Sequence, residues 1–148
     1  MAHPEEEEEG LIYLEAGANI GSCVMEMLHS TKAKMIVIEP HPLNLAQLST
    51  TLLAQPKELR DRAALFPIAV GNMTAQSQIF MDKINRGHST IGVKGESRQG
   101  FIDSHYISVE VLDDLFFDTD SPVPSFKIPL MKMDVEGFEC RLWKEWIV

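Results

Sequence analysis

The chain has 148 residues, of which 45% are hydrophobic and 24% are charged, and 22 acidic against 13 basic residues give a formal net charge of -9. This length and composition predict one compact domain with a hydrophobic core, here residues 11–148. Residues 5–9 are five consecutive glutamates, so we expect residues 1–10 to form a solvated, disordered acidic arm. An acidic body without a basic stripe disfavours nucleic-acid binding and favours small-molecule partners.

The sequence also bears on where the protein works. No run approaches the ~18 apolar residues that a membrane span needs, and the first ten residues are acidic where a secretory signal would be basic. Cys23 and Cys140 lie far apart and show neither Cys-x-x-Cys nor histidine spacing, so no disulfide framework or zinc site is indicated. We therefore expect a soluble, cytoplasmic protein with no membrane partner.

Apolar runs alternate with helical patterns along the first half of the chain. Strands are predicted at residues 11–16, 35–39 and 63–70, and helices at residues 22–28 and 43–53. Strands that alternate with helices imply a parallel sheet and therefore an α/β fold.

The signal changes after residue 76. Short β-rich pieces at residues 77–81, 89–93 and 107–112 predict an insertion of antiparallel strands. A fourth core strand is predicted at residues 130–135, and Phe138, Leu142 and Trp146 share one face of a last helix.

A glycine-containing turn, residues 17–21, follows the first strand. Glycines let the backbone approach a ligand, and a helix N-terminus offers unpaired N–H groups. Counted from Gly17, Asn19 and Ser22 stand where a dinucleotide fingerprint has glycines, and no Gly-Lys-Ser/Thr follows. NAD and FAD are therefore disfavoured, a Walker loop is excluded, and the ligand should carry less negative charge.

Glu39 stands at the end of the second strand, where a carboxylate can accept both hydroxyls of a ribose. Glu15, just before the glycine turn, adds to a field that favours a cationic ligand such as a sulfonium. Both residues lie at carboxyl ends of neighbouring strands, where parallel sheets bind ligands. S-adenosylmethionine, an adenosine that carries a sulfonium, satisfies each requirement.

Four segments together resemble a known family. They are Glu-Ala-Gly-Ala-Asn-Ile-Gly at 15–21, Ile-Glu-Pro-His-Pro at 38–42, Ala-Val-Gly at 69–71 and Met-Asp-Val-Glu-Gly-Phe-Glu at 133–139. In order and spacing they look like the motifs of the FkbM family of methyltransferases. The resemblance covers nearly everything after the acidic arm. It implies a Rossmann-like class I methyltransferase fold that uses S-adenosylmethionine, usually to methylate a hydroxyl oxygen of a sugar or small metabolite.

The resemblance also implies residue roles. The glycine turn would hold the amino-acid part of the cofactor, Glu39 its ribose, and Ala69 with Val70 would lie beside the adenine. The predicted cofactor-binding residues are Glu15, Gly17, Ala18, Asn19, Gly21, Glu39, Pro40, Ala69, Val70 and Asp134. The candidate catalytic residues are Asp134, His88 and Glu136. A hydroxyl acceptor must lose its proton as it attacks, and Asp134 or His88 is the candidate base. Two carboxylates alone do not establish a metal site, so none is predicted.

Class I methyltransferases usually have seven strands in the sheet, so the resemblance implies that this chain is truncated and lacks about three C-terminal strands. We then expect residues 130–135 to form an exposed apolar edge able to pair with a second copy. An alternative hypothesis is a non-catalytic or truncated cofactor-binding module that pairs with a partner chain. A third, an NAD-dependent oxidoreductase, rests only on the shared strand-turn-helix geometry.

Overall fold

The structure, a computed structural model, describes residues 11–82, 89–92, 101–116, 128 and 130–135. In this part of the chain, eight strands and four helices build two four-stranded sheets, A and B. The strands are β1 (Ile12–Ala16), β2 (Lys34–Ile38), β3 (Ala63–Phe66), β4 (Ala69–Gly71), β5 (Ala75–Asp82), β6 (Ser89–Gly92), β7 (Phe101–Val111) and β8 (Leu130–Met133). The helices are α1 (Ser22–Ser30), α2 (Pro42–Leu53), α3 (Lys57–Arg60) and α4 (Leu112–Phe116).

Sheet A is parallel, with the order β3-β2-β1-β8. Alternate residues of its strands enter two different cores, because successive side chains point to opposite faces. Tyr13 and Val37 pack with α1 and α2, whereas Leu14 and Ile36 pack with β4 and α4. Along the chain, α1 lies between β1 and β2, and α2 lies between β2 and β3, so the predicted alternation of strands and helices is confirmed. Burial on both faces explains why these strands read as continuous apolar runs.

The two long helices begin and end at identifiable residues. Gly21 precedes α1 with a φ of 90°, and the N–H of Thr31 donates to the Met27 carbonyl at its end. At the start of α2, Nδ1 of His41 accepts from the N–H of Leu43 at 3.3 Å, and Pro42 occupies the first turn. These residues and hydrogen bonds fix the two ends of α1 and the start of α2 beside sheet A.

The prediction of one strand at residues 63–70 is wrong. β3 ends at Phe66 in sheet A, and β4 begins at Ala69 in sheet B. Pro67 stands between them, and proline can neither donate to a strand ladder nor continue it in the middle of a sheet. The chain therefore changes sheets at this proline.

Sheet B has the order β4-β7-β5-β6. β5 pairs antiparallel with both β6 and β7, as predicted for the insertion, while β4 pairs parallel with β7. Ile79 lies opposite Ile91 on one side and His105 on the other, so these residues form one row across the sheet. The strand predicted at residues 107–112 has different bounds in the structure. β7 begins earlier, at Phe101, and ends one residue earlier, at Val111, because Leu112 is the first residue of α4.

β8 is an outer strand of sheet A in the described part of the chain, and Leu130 is 54% exposed there. The acidic arm and the last predicted helix lie outside the described residues. None of the helices in the described ranges is long and apolar enough to cross a membrane.

Candidate functional site

A pocket lies at the carboxyl ends of the sheet A strands and is covered by strands of sheet B. It encloses about 630 Å³ of empty space, including its opening to solvent. Its lining residues are Gly17, Asn19, Ile38, Glu39, Pro40, Asn44, Ala69, Val70, Ile79, Ile91, Asp134 and Val135. This is the position at which open α/β sheets bind ligands.

The turn after β1 brings three strand ends together. The N–H groups of Gly17 and Ala18 both donate to the Ile38 carbonyl, at 2.9 and 3.1 Å. Gly17 has a φ of 80°, and a Cβ placed on it would lie only 1.9 Å from the carbonyl oxygen of Asp134. Glycine is therefore required here both by its backbone conformation and by the close approach of β8.

Glu39 is a buried carboxylate of the pocket lining whose orientation is fixed by hydrogen bonds. It is only 4% exposed, and Oε2 accepts from the backbone N–H of Asn19 at 2.7 Å. Oε1 accepts from the backbone N–H of His41 at 2.9 Å and from the side-chain amide of Asn44 at 3.4 Å. Asn19 has a φ of 54°, in the left-handed region that asparagine tolerates. The carboxylate is thus held in one orientation at the pocket wall.

The electrostatic state of Glu39 follows from its surroundings. Burial raises the pKa of the Glu39 carboxyl, and the hydrogen bonds from His41, Asn19 and Asn44 lower it without cancelling that rise. Each carboxylate oxygen has two acceptor positions, so Oε2, with its one bond to Asn19, keeps capacity for a ligand hydroxyl.

Glu15, which was predicted to bind the cofactor, is not among the described residues that line the pocket. It is 1% exposed and pairs with Lys132, whose Nζ donates to Oε1 at 3.0 Å. Burial raises the pKa of the Glu15 carboxyl despite this partner. Burial lowers the pKa of Lys132, but the Glu15 carboxylate outweighs it, so the net shift is upward. Burial also raises the pKa of Tyr13 to about 12, and the nearby Glu15 carboxylate adds to that rise.

Ala18 and Gly21 also contribute to packing. Ala18 belongs to the core under α1 and α2. Gly21 has a φ of 90°, and a Cβ on it would lie 2.2 Å from Cδ1 of Leu48 in α2. Neither residue is among those that line the pocket, so their described contacts are structural.

Seven of the ten residues predicted to bind a cofactor do line the pocket. They are Gly17, Asn19, Glu39, Pro40, Ala69, Val70 and Asp134.

Of the three candidate catalytic residues, the structure describes Asp134. Its side chain is exposed at the pocket, and its backbone N–H donates to the Ala16 carbonyl at 2.9 Å. His88 and Glu136 lie outside the described residues. Across the described ranges, no three His, Cys, Asp or Glu side chains cluster closely enough to hold a metal ion.

The charge of the pocket restricts what can bind there. Glu39 and Asp134 are its two carboxylates, and no lysine, arginine or histidine is among the described lining residues. An anion would meet repulsion without a compensating cation. The described lining is therefore suited to a neutral or cationic ligand.

Sequence reasoning missed five lining residues. Ile38 and Val135 are next to predicted residues in the chain, Asn44 bonds the predicted Glu39 from α2, and Ile79 and Ile91 come from β5 and β6. Asn44 offered a usable signal, because it shares the buried stripe of α2 with Leu48 and Leu52. A polar side chain at helical spacing with buried leucines needs a hydrogen-bond partner, and Glu39 is that partner.

Comparison with known protein families matches residues 15–142 to the family described as the methyltransferase FkbM domain. No curated protein and no solved structure matches the chain.

Proposed function

This chain belongs to the FkbM family of methyltransferase domains, and we propose that it uses S-adenosylmethionine to methylate a hydroxyl oxygen of a small metabolite or sugar. The observation that carries the proposal is the Glu39 carboxylate, which is buried, oriented by three donors and part of the pocket lining. A carboxylate so placed at a strand end is a natural acceptor for ribose hydroxyls.

The lining residues and the charge of the pocket support the proposed cofactor. Gly17 lines the pocket, and because it has no side chain, the turn after β1 packs directly against the Asp134 carbonyl at the pocket wall. Glu39 and Asp134 favour a sulfonium over a phosphate. Ala69, Ile79 and Ile91 pack together and offer an apolar wall for a flat ring. We propose on these grounds that the described sheets form a Rossmann-like class I methyltransferase fold.

Bound S-adenosylmethionine supplies an activated methyl group on sulfur, so the chain's own task is largely to position the acceptor. Positioning of this kind can contribute ~7 to 11 kcal/mol to a reaction. Asp134 is exposed at the pocket and is proposed to accept the proton from the acceptor hydroxyl. The apolar residues of β5 and β6 are proposed to keep water away from the acceptor.

Isothermal titration calorimetry with S-adenosylhomocysteine and S-adenosylmethionine tests the proposal, with NADH as a control ligand. We expect both adenosyl ligands to bind the wild-type chain in preference to NADH. Glu39→Gln should weaken their affinity about 10- to 100-fold, because a hydrogen bond to a charged group contributes about 1.5–3 kcal/mol. Glu58→Gln, on the exposed surface of α3, is the matched control and should bind like the wild type. A folded wild-type chain that preferred NADH, or equal affinity in Glu39→Gln, would contradict the proposal.

A further inference from the structure

Lys132 and Glu15 form an ion pair that the proposed reaction does not itself use. They lie opposite each other in neighbouring parallel strands, and their charged atoms are 3.0 Å apart. Glu15 is 1% exposed and the Lys132 side chain is 37% exposed. The pair therefore links β1 and β8 beneath the surface, with only the lysine reaching solvent.

The pair lies next to the pocket along both strands. Two residues after Glu15 comes Gly17, and two residues after Lys132 comes Asp134, and both of these line the pocket. Between the two strand ends, the backbone N–H of Asp134 donates to the Ala16 carbonyl at 2.9 Å. Gly17 leaves no room for even one additional carbon against the Asp134 carbonyl. A small displacement of β8 against β1 would therefore move two walls of the pocket.

The surroundings of Glu15 explain why this link needs the lysine. Oε2 of Glu15 accepts no hydrogen bond from the residues that the structure describes. Tyr13 on its own strand and Asp134, the residue after β8, are the other titratable groups that act on it, and Cys23 of α1 faces Tyr13 and Lys132. Lys132 is the cation among these groups, and β2 offers Val37 at the opposite register position. A buried carboxylate without a cationic partner is strongly disfavoured.

We infer that Lys132 is a positioning residue for the proposed cofactor site, which it serves by holding Glu15 and so keeping the Gly17 turn and Asp134 in place at the pocket. The inference rests on the proposed function, because it assigns Lys132 a part in the site where the adenosyl ligand binds. Lys132 is not among the described residues that line the pocket, so its role requires no contact with that ligand.

Four variants test the inference by titration with S-adenosylhomocysteine between pH 6 and pH 9. Lys132→Met removes the charge and keeps an unbranched side chain, whereas Lys132→Arg keeps a positive charge. Glu15→Gln/Lys132→Met removes both charges. Lys34→Met is the matched control, because it removes the same charge from an exposed position at the start of β2. The affinity of each variant is calculated for the concentration of folded chain, which is obtained from the folded fraction that circular dichroism measures.

We expect Lys132→Met to bind S-adenosylhomocysteine about tenfold or more weakly at pH 8, because removal of one partner of a buried ion pair leaves an uncompensated carboxylate that disturbs both strand ends at the pocket. Its affinity relative to the wild type should fall further as the pH rises. Without the ammonium the pKa of Glu15 rises, and ionisation then leaves an unpaired buried carboxylate. The double variant should bind weakly with a pH-independent ratio to the wild type. Lys132→Arg should restore most of the affinity, and Lys34→Met should match the wild type.

If Lys132→Met binds as tightly as the wild type and its pH profile is unchanged, the inference is overturned while the proposed function stands. If the folded wild-type chain binds no S-adenosylhomocysteine, both are overturned. Should Lys132→Met be too unstable to titrate, the double variant decides, because it leaves no unpaired buried charge. Weak binding by the folded double variant, with a pH-independent ratio to the wild type, supports the inference, and wild-type affinity refutes it.

Discussion

At the scale of single residues, Gly17 and Asn19 both have a positive φ in the turn after β1, but the two positions differ in whether they can carry a side chain. A side chain at Gly17 would collide with the Asp134 backbone, whereas Asn19 already carries a side chain at a φ of 54°. The Asn19 backbone N–H is the part that contacts Glu39. A requirement for glycine in this turn therefore reflects strand packing at Gly17 and not ligand contact alone.

Gly17→Ala should lower the free energy of unfolding by at least about 2 kcal/mol, because it adds left-handed strain and a clash with backbone atoms. Asn19→Gly is the control and should change that free energy by less than about 1 kcal/mol, since glycine accepts the same φ and keeps the N–H donor. Urea denaturation followed by circular dichroism measures both. Equal stability of Gly17→Ala and the wild type would show that the turn and β8 are not in close contact.

Burial of Glu39 predicts a pH dependence of ligand affinity. The ionised carboxylate is the proposed acceptor for ribose hydroxyls, and burial raises its pKa. Affinity for S-adenosylhomocysteine should therefore fall as the pH drops through this raised value, by roughly tenfold per pH unit below it. Calorimetric titrations across the acidic range measure this, and Glu39→Gln should lack the step. A midpoint at or below the ordinary glutamate pKa would contradict the account.

The effect of Glu39 on stability has the opposite sign. Because its folded-state pKa lies above the unfolded value, its contribution to stability is fully present below the unfolded pKa. That contribution is lost as the pH rises through the folded-state pKa. A ligand hydroxyl that bonds the ionised form would compensate part of this loss.

Asp134→Asn separates binding from catalysis. Its side chain is exposed, so the replacement should leave the affinity for S-adenosylhomocysteine within about threefold, whereas loss of the proposed base should lower turnover about 10²- to 10⁴-fold. Turnover is measured as transfer of a labelled methyl group to an acceptor identified by screening neutral hydroxyl compounds with the wild-type chain. Unchanged turnover would remove Asp134 from the mechanism.

At the scale of secondary-structure elements, Arg62 ties the start of β3 to the end of α1. Its guanidinium donates to the carbonyl oxygens of Thr31 and Ala33, each at 2.9 Å, and also to that of Leu28. These carbonyls lie at and just beyond the C-terminus of α1, where a cation also interacts favourably with the helix dipole. Arg62 thus fixes the crossover between β1 and β2.

Arg62→Met should lower the free energy of unfolding by about 2–4 kcal/mol, because several carbonyl groups lose a charged donor. Arg62→Lys should recover only part of this loss, since an ammonium cannot reproduce the planar fork. Arg60→Met is the control: Arg60 is exposed and bonds one carbonyl at 3.5 Å, so less than about 0.5 kcal/mol should change. Urea denaturation distinguishes these outcomes, and equal effects at both arginines would refute the assigned role.

The strands and helices of sheet A were predictable because each produces a local pattern. Strands buried on both faces give apolar runs, and α2 gives leucines at helical spacing. The prediction of one strand at residues 63–70 was wrong because the apolar run continues through Pro67. Proline has no backbone N–H to donate, so the strand ends before it. α3 has four residues and no buried side chain, so no periodic pattern marked it.

The site was predictable to the extent that strand ends reveal it. Gly17, Glu39 and Asp134 each follow an apolar run, and parallel strands bring such positions to one edge. Ile79 and Ile91 depend on the register of β5 and β6, which no local pattern specifies. Lys132 and Glu15 are 117 residues apart in the chain, so only the sheet order makes them neighbours.

At the scale of the whole molecule, the pocket is built jointly by two sheets. Sheet A contributes the glycine turn and both carboxylates, and sheet B contributes apolar residues that cover them. The rings of His41 and His105 meet edge to face at 5.7 Å and connect the Glu39 loop to β7. A ligand in the pocket would contact both sheets and should stabilise them as one unit.

Saturation with S-adenosylhomocysteine at a hundred times its Kd should therefore raise the free energy of unfolding of the wild-type chain by about 2.7 kcal/mol. Urea denaturation with and without the ligand measures this rise. Glu39→Gln at the same ligand concentration should show a clearly smaller one. A rise of equal size in the variant would place the ligand away from Glu39.

Locating the ligand on the chain shows whether an adenosyl ligand binds in this pocket against Glu39. Titration of a ¹⁵N-labelled chain with S-adenosylhomocysteine, followed by amide NMR, reports each site separately. We expect the largest shifts at the backbone N–H of Asn19 and the side-chain amide of Asn44, the two asparagine donors that Glu39 accepts from. Saturating shifts confined to other parts of the chain, with these two signals unmoved, would show that the ligand does not bind against Glu39.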